Sequence, residues 1–323
     1  MRGILAAIAF VGSAFALSAC AKPPSISTLE AAYTSPASQF ITLQDGTRVH
    51  VRDEGRKDGP NLVLLHGSNA SLHTWEPWVA RLGPDYRIIS LDFPGHGLTG
   101  PNPQKDYSTE RYVAVVDEVT SRLGAQQFSL AGNSMGGGVA WRYALAHPQR
   151  VQSLILVDAG GYPFPARGGG IFSLIRTPLI GEFLSGFATK DLYRSNLENV
   201  FVDKSIVTDA MVQRYFDLNS REGNPQATLA RLRSKPAKPD AWKDIKSINA
   251  PTLILWGDKD TLIPVANADR FAADLPVAEK IIYPNIGHIP MEEIPDQTAR
   301  DVGAFLDALI GREPPPGAKP RIR

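Results

Sequence analysis

Short apolar runs that alternate with helical patterns constrain the fold of this chain more than any other feature of its sequence. The runs are near-continuous in apolar residues, which is typical of strands buried on both faces of a parallel sheet. They occupy residues 62–65, 88–91, 128–131, 154–157, 252–256 and 280–283. An earlier pair of runs, 40–43 and 48–52, flanks Asp45-Gly46 and predicts a hairpin.

The segments between these runs have the spacing of amphipathic helices. Apolar residues recur at helical intervals after the start signal Ser108-Thr109, and Gly124 ends that pattern. Residues 138–146 and 302–309 predict two more helices. Strands alternating with helices predict an α/β fold, a parallel sheet with helices on both faces and an active site at the carboxyl ends of the strands.

The alternation stops within residues 162–249, where an apolar and amphipathic stretch, 171–187, stands out. We expect a helical cap here, inserted into a core formed by residues 39–161 and 250–312. The apolar side chains of the cap are more typical of packing than of a ligand pocket. Residues 313–323 predict a disordered, mildly basic tail.

Charge and histidine spacing argue against nucleic acid, metal and nucleotide cofactors. The chain has 34 basic and 33 acidic side chains, a net charge of +1, so it has no surplus of positive charge for a phosphate backbone. Its histidines lack the spacing of a zinc site, and no phosphate-binding glycine loop with Lys is present. We expect no cofactor and no metal.

The first twenty residues have the pattern of a secretion signal. Met1-Arg2 is followed by an apolar run, residues 4–17, which is shorter than the roughly 20 residues of a comfortable transmembrane helix. A retained membrane helix is the alternative. Cys20 is the only cysteine, so it has no intramolecular disulfide partner in an oxidising compartment.

The segment Leu17-Ser18-Ala19-Cys20 resembles the lipobox of bacterial lipoproteins, whose cysteine is joined to lipid after the signal is removed. The resemblance implies a signal peptide over 1–19, lipidation of Cys20 and export to a membrane, where the protein faces the periplasm. Ala21 resembles the residue found in lipoproteins sorted to the outer membrane. Residues 20–38 are rich in Ala, Ser and Pro, which indicates a tether.

The segment Gly132-Asn133-Ser134-Met135-Gly136 matches GxSxG. The bare pattern is common by chance, but here it follows a predicted strand and precedes a predicted helix, the context of a nucleophile elbow. Small neighbours allow the strained turn that exposes the serine. The alternative is a glycine-rich turn with an ordinary serine. We expect Ser134 to be a nucleophile.

Five segments in one order give the chain a resemblance to the α/β-hydrolase superfamily. They are LLHGSNAS (64–71), DFPGHGLT (92–99), GNSMGG (132–137), WGDKDTLIP (256–264) and NIGHIPMEEIP (285–295). The resemblance covers roughly residues 40–311 apart from the detail of the insert. It implies a mostly parallel eight-stranded sheet, flanking helices and a helical cap.

A serine hydroxyl needs a base within hydrogen-bond reach, and in this fold the acid and then the histidine follow the nucleophile in the chain. His288 is the one histidine after residue 249, and it follows the strand that ends at Tyr283. We expect it to be the general base. The other histidines are expected to be structural: His50, His66, His73, His96 and His147.

The acid has three candidates by position, because Asp258 and Asp260 follow one predicted strand and Asp158 follows another. Residues 257–264 resemble the GxxDxxxP segment of the superfamily, whose acid aligns with Asp260. The resemblance therefore implies Asp260, with Asp258 as a turn residue and Asp158 as an alternate acid.

An oxyanion intermediate also needs hydrogen-bond donors. The backbone N–H of Met135 follows the nucleophile, and the N–H of Ser68 lies in the loop after strand 62–65, where the second donor arises in this fold. The alternative for His66-Gly67 is a tight turn.

Serine at the elbow argues against dehalogenases and epoxide hydrolases of the superfamily, which use aspartate. Carbon–carbon bond hydrolases of ring-cleavage products share a GNSMGG-like elbow. They also resemble one another in a glycine-rich oxyanion loop and in an aromatic residue just after the catalytic histidine, whereas this chain has Ser68-Asn69 and Ile289-Pro290 at these positions. The sequence therefore favours hydrolysis of an ester with a small or medium hydrophobic substrate. Carbon–carbon bond hydrolysis and a non-catalytic lipid-binding lipoprotein are the alternatives.

Overall fold

The computed structural model describes residues 24–163, 189–234 and 237–312. The strands of these residues form one eight-stranded sheet in the order β1-β2-β4-β3-β5-β6-β7-β8. Their bounds are β1 Ser38–Thr42, β2 Arg48–Gly55, β3 Asn61–Leu65, β4 Arg87–Leu91, β5 Phe128–Asn133, β6 Val151–Val157, β7 Thr252–Gly257 and β8 Ala278–Tyr283. β2 pairs antiparallel with β1 and β4, and all other pairings are parallel. The predicted strands, the hairpin and the α/β-hydrolase architecture are confirmed.

The described helices flank the sheet or lie in the cap. They are α1 Ile26–Tyr33, α2 Glu76–Leu82, α3 Thr109–Arg122, α4 Met135–Ala146, α5 Lys190–Val200, α6 Asp209–Ser220, α7 Asn224–Arg233, α8 Ala266–Asp274, α9 Pro290–Glu293 and α10 Pro295–Leu309. α3 begins and ends as predicted. Ser108 accepts a hydrogen bond from the backbone of Arg111 at its start, and Gly124 has φ 72° after its end.

Alternate side chains of each central strand enter two different cores. Val63 and Leu65 of β3 pack with the helix residues of α3, α4 and α8, whereas Leu62 and Leu64 pack with those of α2 and α10. All four side chains are fully buried. The apolar runs are continuous because helices cover both faces of the sheet.

The cap lies between β6 and β7 and includes α5, α6 and α7. The predicted amphipathic stretch 171–187 falls outside the described residues. The same holds for the predicted signal peptide, Cys20 and the tail. Among the described helices, none has both the length and the apolar character needed to span a bilayer.

Residues 26–33, within the segment 20–38 that is predicted to be a tether, form α1. Ser25 caps the helix by accepting a hydrogen bond from Thr28 N. Leu29 packs with Leu98 and Leu218, and the hydroxyl of Tyr33 donates to Asp217 on α6 at 2.7 Å. This helix therefore gains its stability from residues far away in the chain, which local periodicity does not reveal.

Candidate active site

The residues predicted to do chemistry follow neighbouring strands of the sheet. β3, β5, β6, β7 and β8 are adjacent, in that order, and parallel. Their carboxyl ends lead respectively into the loop 66–70, Ser134, Asp158, the loop 258–264 and the loop 284–289. The topology thus brings the predicted site residues to one edge of the sheet.

Ser134 lies at a strained turn between β5 and α4. Its φ is 54° and its ψ is −115°, a conformation that is costly for a residue with a side chain. The surrounding backbone holds the turn, since Ser134 N donates to Val157 O at 3.0 Å and its carbonyl accepts from Gly138 N and Gly160 N. The side chain is partly exposed. This is the geometry of a nucleophile elbow.

Two glycines allow the elbow to form. A Cβ at position 132 would lie 2.3 Å from the carbonyl oxygen of Gly136, and a Cβ at position 136 would lie 2.2 Å from the carbonyl oxygen of Leu65. Both distances are too short for any side chain. The first turn of α4 therefore packs directly against the end of β3.

His288 and Asp260 form a buried hydrogen-bonded pair. His288 Nδ1 lies 2.7 Å from Asp260 Oδ2, and both side chains are almost fully buried. The other carboxylate oxygen, Asp260 Oδ1, accepts from the backbone N–H groups of Leu262 and Ile263. With Nδ1 protonated and donating to Asp260, the remaining ring nitrogen of His288 is left to accept a proton.

Asn133 joins the elbow to the His288 loop. Its side-chain amide donates to the carbonyl oxygen of His288 at 3.1 Å and to that of Val157 at 3.2 Å. Asn133 lies within the GNSMGG segment, but the sequence pattern alone predicts no role for its side chain. Because Ser134 directly follows Asn133 in the chain, this contact sets the position of His288 relative to Ser134.

The two other candidate acids have different surroundings. Asp258 accepts from Asn285 N at 2.7 Å and pairs with the exposed Lys259, so it bridges two loops. Asp158 is fully buried and accepts from Gly257 N at 3.1 Å. Burial, together with the nearby charge of Asp260, raises the pKa of Asp158 well above its ordinary value.

A buried glutamate connects the His288 loop to the cap. Glu293 accepts from Gly287 N at 2.8 Å and from the backbone N–H groups of Val202 and Asp203, which follow α5. His288 N also donates to Val200 O at 2.9 Å. The position of the predicted base therefore depends on the cap as well as on the sheet.

The predicted oxyanion loop lies against the elbow. A Cβ on Gly67 would lie 2.8 Å from Asn133 Oδ1 and 3.2 Å from the Cβ of Ser134. His66 supports the loop, since its Nδ1 lies 2.7 Å from Gly67 O and its Nε2 accepts from Phe93 N. Burial lowers the pKa of His66, which agrees with a neutral, structural ring.

The backbone N–H of Met135 belongs to the first residue of α4, and the N–H groups of a first helical turn have no partner within their own helix. An anion near that N–H is stabilised by the helix dipole as well. Met135 directly follows Ser134, and Ser68 follows Gly67, which lies against the elbow. The two predicted donors are therefore in neighbouring segments.

Arg231 of α7 is a second residue that the sequence pattern did not single out but that contacts a predicted site residue. Its Nη2 donates to Ser68 Oγ at 2.6 Å and lies 3.4 Å from Asn69 Oδ1. The side chain of Ser68 is thus engaged by the cap, while its backbone N–H is the group predicted to hold an oxyanion. Nothing in the sequence around Arg231 indicates this contact.

Another Ser–His–Asp arrangement lies away from the elbow. His50 Nε2 is 2.9 Å from Ser38 Oγ and His50 Nδ1 is 2.8 Å from Asp92 Oδ2. Asp92 also accepts from the backbone N–H groups of Leu72 and Leu98, so its carboxylate joins β2 to the segment before α2 and to its own loop after β4. Ser38 begins an edge strand and has no elbow, which agrees with a structural role for His50.

The remaining histidines predicted to be structural also lie apart from the Asp260–His288 pair. His73 and His96 are buried, and burial lowers the pKa of each. His147 follows the far end of α4 and has a partly exposed side chain.

Three side chains of the described residues could share a cation by distance, because one possible ligand atom of each lies within 4.8 Å of the others. They are Asp158, Asp260 and His288. A histidine nitrogen that donates to a carboxylate has no lone pair for a metal. The 2.7 Å contact of His288 with Asp260 is that of a hydrogen bond, so we interpret these two residues as a hydrogen-bonded pair rather than as metal ligands.

Known proteins share the fold of this chain. A family model described as "alpha/beta hydrolase fold" matches residues 60–295. The chain is 31% identical over 271 residues to a 2-hydroxy-6-oxononadienedioate/2-hydroxy-6-oxononatrienedioate hydrolase of Cupriavidus pinatubonensis, covering 78% of this chain and 89% of that protein.

A Pseudomonas putida protein, the dihydrolipoyllysine-residue acetyltransferase component of an acetoin cleaving system, is also 31% identical; the match covers 78% of this chain but only 65% of that longer protein. A solved structure of a membrane phospholipase A, described as a bacterial virulence factor, has a TM-score of 0.70 and 28% identity. The match covers 95% of this chain and 97% of the phospholipase chain.

Proposed function

Because the chain belongs to the α/β-hydrolase fold family and is a hydrolase, we propose that it cleaves carboxylic esters through an acyl-enzyme on Ser134. The observation that carries the proposal is the link from the elbow to the acid–base pair. Asn133 of the elbow holds the loop of His288, and Asp260 holds the ring of His288.

The proposed reaction has two steps of acyl transfer. His288 accepts the proton of the Ser134 hydroxyl while the oxygen attacks the ester carbonyl carbon. The carbonyl oxygen becomes an oxyanion that the backbone N–H groups of Ser68 and Met135 stabilise. His288 then gives its proton to the departing alcohol, which leaves an ester between the acyl group and Ser134.

Water completes the cycle. His288 removes a proton from water, the hydroxide attacks the acyl-enzyme, and the proton returns to Ser134 as the carboxylic acid leaves. Asp260 holds one tautomer of the imidazole and stabilises the imidazolium that forms in both steps. The buried Asp260 supplies this negative charge where water screens it little.

Carbon–carbon bond hydrolysis is the second candidate. It is supported by the name of the Cupriavidus relative. Similarity to the membrane phospholipase A supports the ester reaction and, because that structure covers 95% of this chain, it also supports action near a membrane. We favour the ester, because Ser68 and Asn69 stand where the carbon–carbon hydrolases resemble one another in a glycine-rich loop.

Labelling with a fluorophosphonate tests the nucleophile. We expect the wild type to be labelled at Ser134 and Ser134→Ala to lose both labelling and turnover of p-nitrophenyl esters. Ser38→Ala is the matched control, since Ser38 also contacts a histidine of a Ser–His–Asp arrangement but has no elbow. Labelling that survives in Ser134→Ala would overturn the assignment.

Substrate panels separate the two reactions. We expect p-nitrophenyl esters of short and medium acyl chains to be turned over, and a 2-hydroxy-6-oxo ring-cleavage dienoate to remain unchanged under the same conditions. Turnover of the dienoate without ester turnover would favour the second candidate. A wild type that is inert to both substrates and to the label would favour the non-catalytic lipoprotein.

The proposal includes attachment to the outer membrane through lipid on Cys20, with the hydrolase in the periplasm. Lipid chains contribute about 0.8 kcal/mol for each buried methylene, so acylation at two positions or more gives stable anchoring.

A further inference from the structure

Asp158 is a buried carboxyl group that the proposed mechanism does not use. It follows β6 at a φ of 45°, and its side chain is fully enclosed. Its Oδ1 accepts from Gly257 N at 3.1 Å, whereas its Oδ2 is buried without a hydrogen-bond partner among the described residues. A buried carboxylate oxygen without a donor is costly, but a protonated carboxyl group has a proton to give.

The neighbours of Asp158 are acidic. One carboxyl oxygen of Asp158 lies within 4.8 Å of a carboxyl oxygen of Asp260 and of a ring nitrogen of His288. Glu293 adds a further negative charge to the electrostatic surroundings of Asp158. His288 is the only titratable group among these that can carry a positive charge.

The negative charge belongs on Asp260 rather than on Asp158. Asp260 accepts three hydrogen bonds, two from backbone N–H groups and one from His288. Asp158 accepts one, from Gly257 N. When two buried carboxyl groups lie this close, ionising both is unfavourable, and the group with fewer donors keeps the proton.

We propose that Asp158 is a positioning residue that remains a neutral carboxylic acid at neutral pH and holds its proton between itself and Asp260. The inference rests on the proposed function, in which Asp260 orients His288. The single negative charge of the pair stays on Asp260, next to the imidazole. Loss of the Asp158 proton would place a second negative charge beside the ring of His288, which would hold the imidazolium proton more tightly and slow its transfer to the leaving alcohol.

Infrared spectroscopy tests the protonation state without reference to turnover. In protein labelled with ¹³C at the aspartate side-chain carboxyl, the spectrum at pH 7 should contain the carbonyl stretch of a neutral carboxylic acid. That band should be absent from Asp158→Asn. If the substitution instead removes carboxylate bands only, Asp158 is ionised and the inference is wrong, whether or not the protein cleaves esters.

Kinetics test the positioning role. Asp158→Asn keeps a neutral side chain that can donate to Asp260, so we expect kcat within about threefold of wild type at pH 7. Asp158→Gly suits the positive φ but removes the donor, and we expect kcat to fall about tenfold with KM nearly unchanged. The alkaline change in kcat/KM that accompanies ionisation of Asp158 should be absent from Asp158→Asn.

Asp260→Asn is the comparison that distinguishes the two acids. A loss of kcat in Asp158→Asn as large as that in Asp260→Asn would show that Asp158 acts as an ionised acid, and would overturn the inference. Failure of the wild type to cleave any ester would count against the proposed function alone, because the infrared result still decides the state of Asp158.

Discussion

Asn133 donates a hydrogen bond from its side-chain amide to the carbonyl oxygen of His288, 3.1 Å away. The residue before the predicted nucleophile thereby holds the loop of the predicted base, which lies 155 positions later in the chain. The same amide binds the end of β6 through Val157 O. One side chain thus joins the ends of β5 and β6 to the loop after β8.

Removing this amide should disturb the base more than the fold. In Asn133→Ala the two carbonyl groups lose a buried donor, which costs about 1–3 kcal/mol of stability. A shift of His288 by about 1 Å lowers kcat by up to roughly 10²-fold. Ester kinetics and urea unfolding measure the two effects.

Asn61→Ala is the matched control for this substitution. Asn61 also donates its amide to a backbone carbonyl, that of Gln127, but it does so at the opposite end of β3. We expect no change in kcat. Equal losses of kcat in both variants would mean that Asn133 has no special relation to the site.

The two neighbouring aspartates should differ sharply. Asp260→Asn should lower kcat by about 10³–10⁴-fold, because an amide does not stabilise the imidazolium and favours the wrong tautomer. Asp258→Asn should leave kcat within a few fold, since Asp258 bonds Asn285 N and Lys259 rather than the ring. Ester kinetics on both variants check the assignment, and reversed results would refute it.

The predicted oxyanion donor at Ser68 is its backbone N–H, so the effect of losing the side chain must be measured separately from the effect of losing the N–H. Ser68→Ala removes the contact with Arg231 but keeps the N–H, and should retain kcat within about threefold. Ser68→Pro removes the N–H and should lower kcat by about 10²–10³-fold. Circular dichroism verifies that both variants are folded. Full activity in Ser68→Pro would exclude this N–H as a donor.

The buried carboxyl of Asp158 predicts a dependence of stability on pH. Its pKa in the folded protein is raised above the ordinary value of 3.8, so its contribution to stability is fully present below about pH 4 and is lost as pH rises towards the folded pKa. Asp158→Asn lacks this loss. Its free energy of unfolding should rise relative to wild type by up to about 1.4 kcal/mol per pH unit over that window.

Urea unfolding of the two proteins from pH 4 to pH 8 measures the difference. A constant difference across that range would mean that Asp158 has the same pKa in the folded and unfolded states.

Anchoring is tested at Cys20. Cys20→Ser should abolish incorporation of a palmitate analogue and move the protein from the membrane fraction to the soluble periplasmic fraction or block its processing. Ser18→Ala is a nearby control that keeps the sulfur. Unchanged membrane association and processing in Cys20→Ser would contradict the lipoprotein prediction.

Short-range features of the chain were enough to predict the scaffold. The central strands could be predicted from the sequence because helices cover both faces of the sheet, so that every residue of a run such as 62–65 is apolar. The elbow could be predicted because its turn requires glycines at positions 132 and 136. His288 follows from chain order and from its place after a strand.

Contacts between distant segments decided the rest. Asp258 and Asp260 are two residues apart in one loop, and the path of that loop determines which carboxylate meets His288. Position in the chain left that choice open, and only the resemblance to the superfamily favoured Asp260. α1 was missed because its stability comes from Leu29 packing with Leu98 and Leu218.

The sequence by itself therefore determined the strands and the elbow, because backbone sterics and apolar burial leave a mark within a few neighbouring residues, and chain order singled out His288 as the predicted base. The tertiary structure alone decided that Asp158 lies beside Asp260, that Asn133 holds His288 and that Arg231 reaches Ser68. Those relations depend on which strand ends and cap helices become neighbours in space, and polar contacts of that kind leave no periodic pattern in the chain.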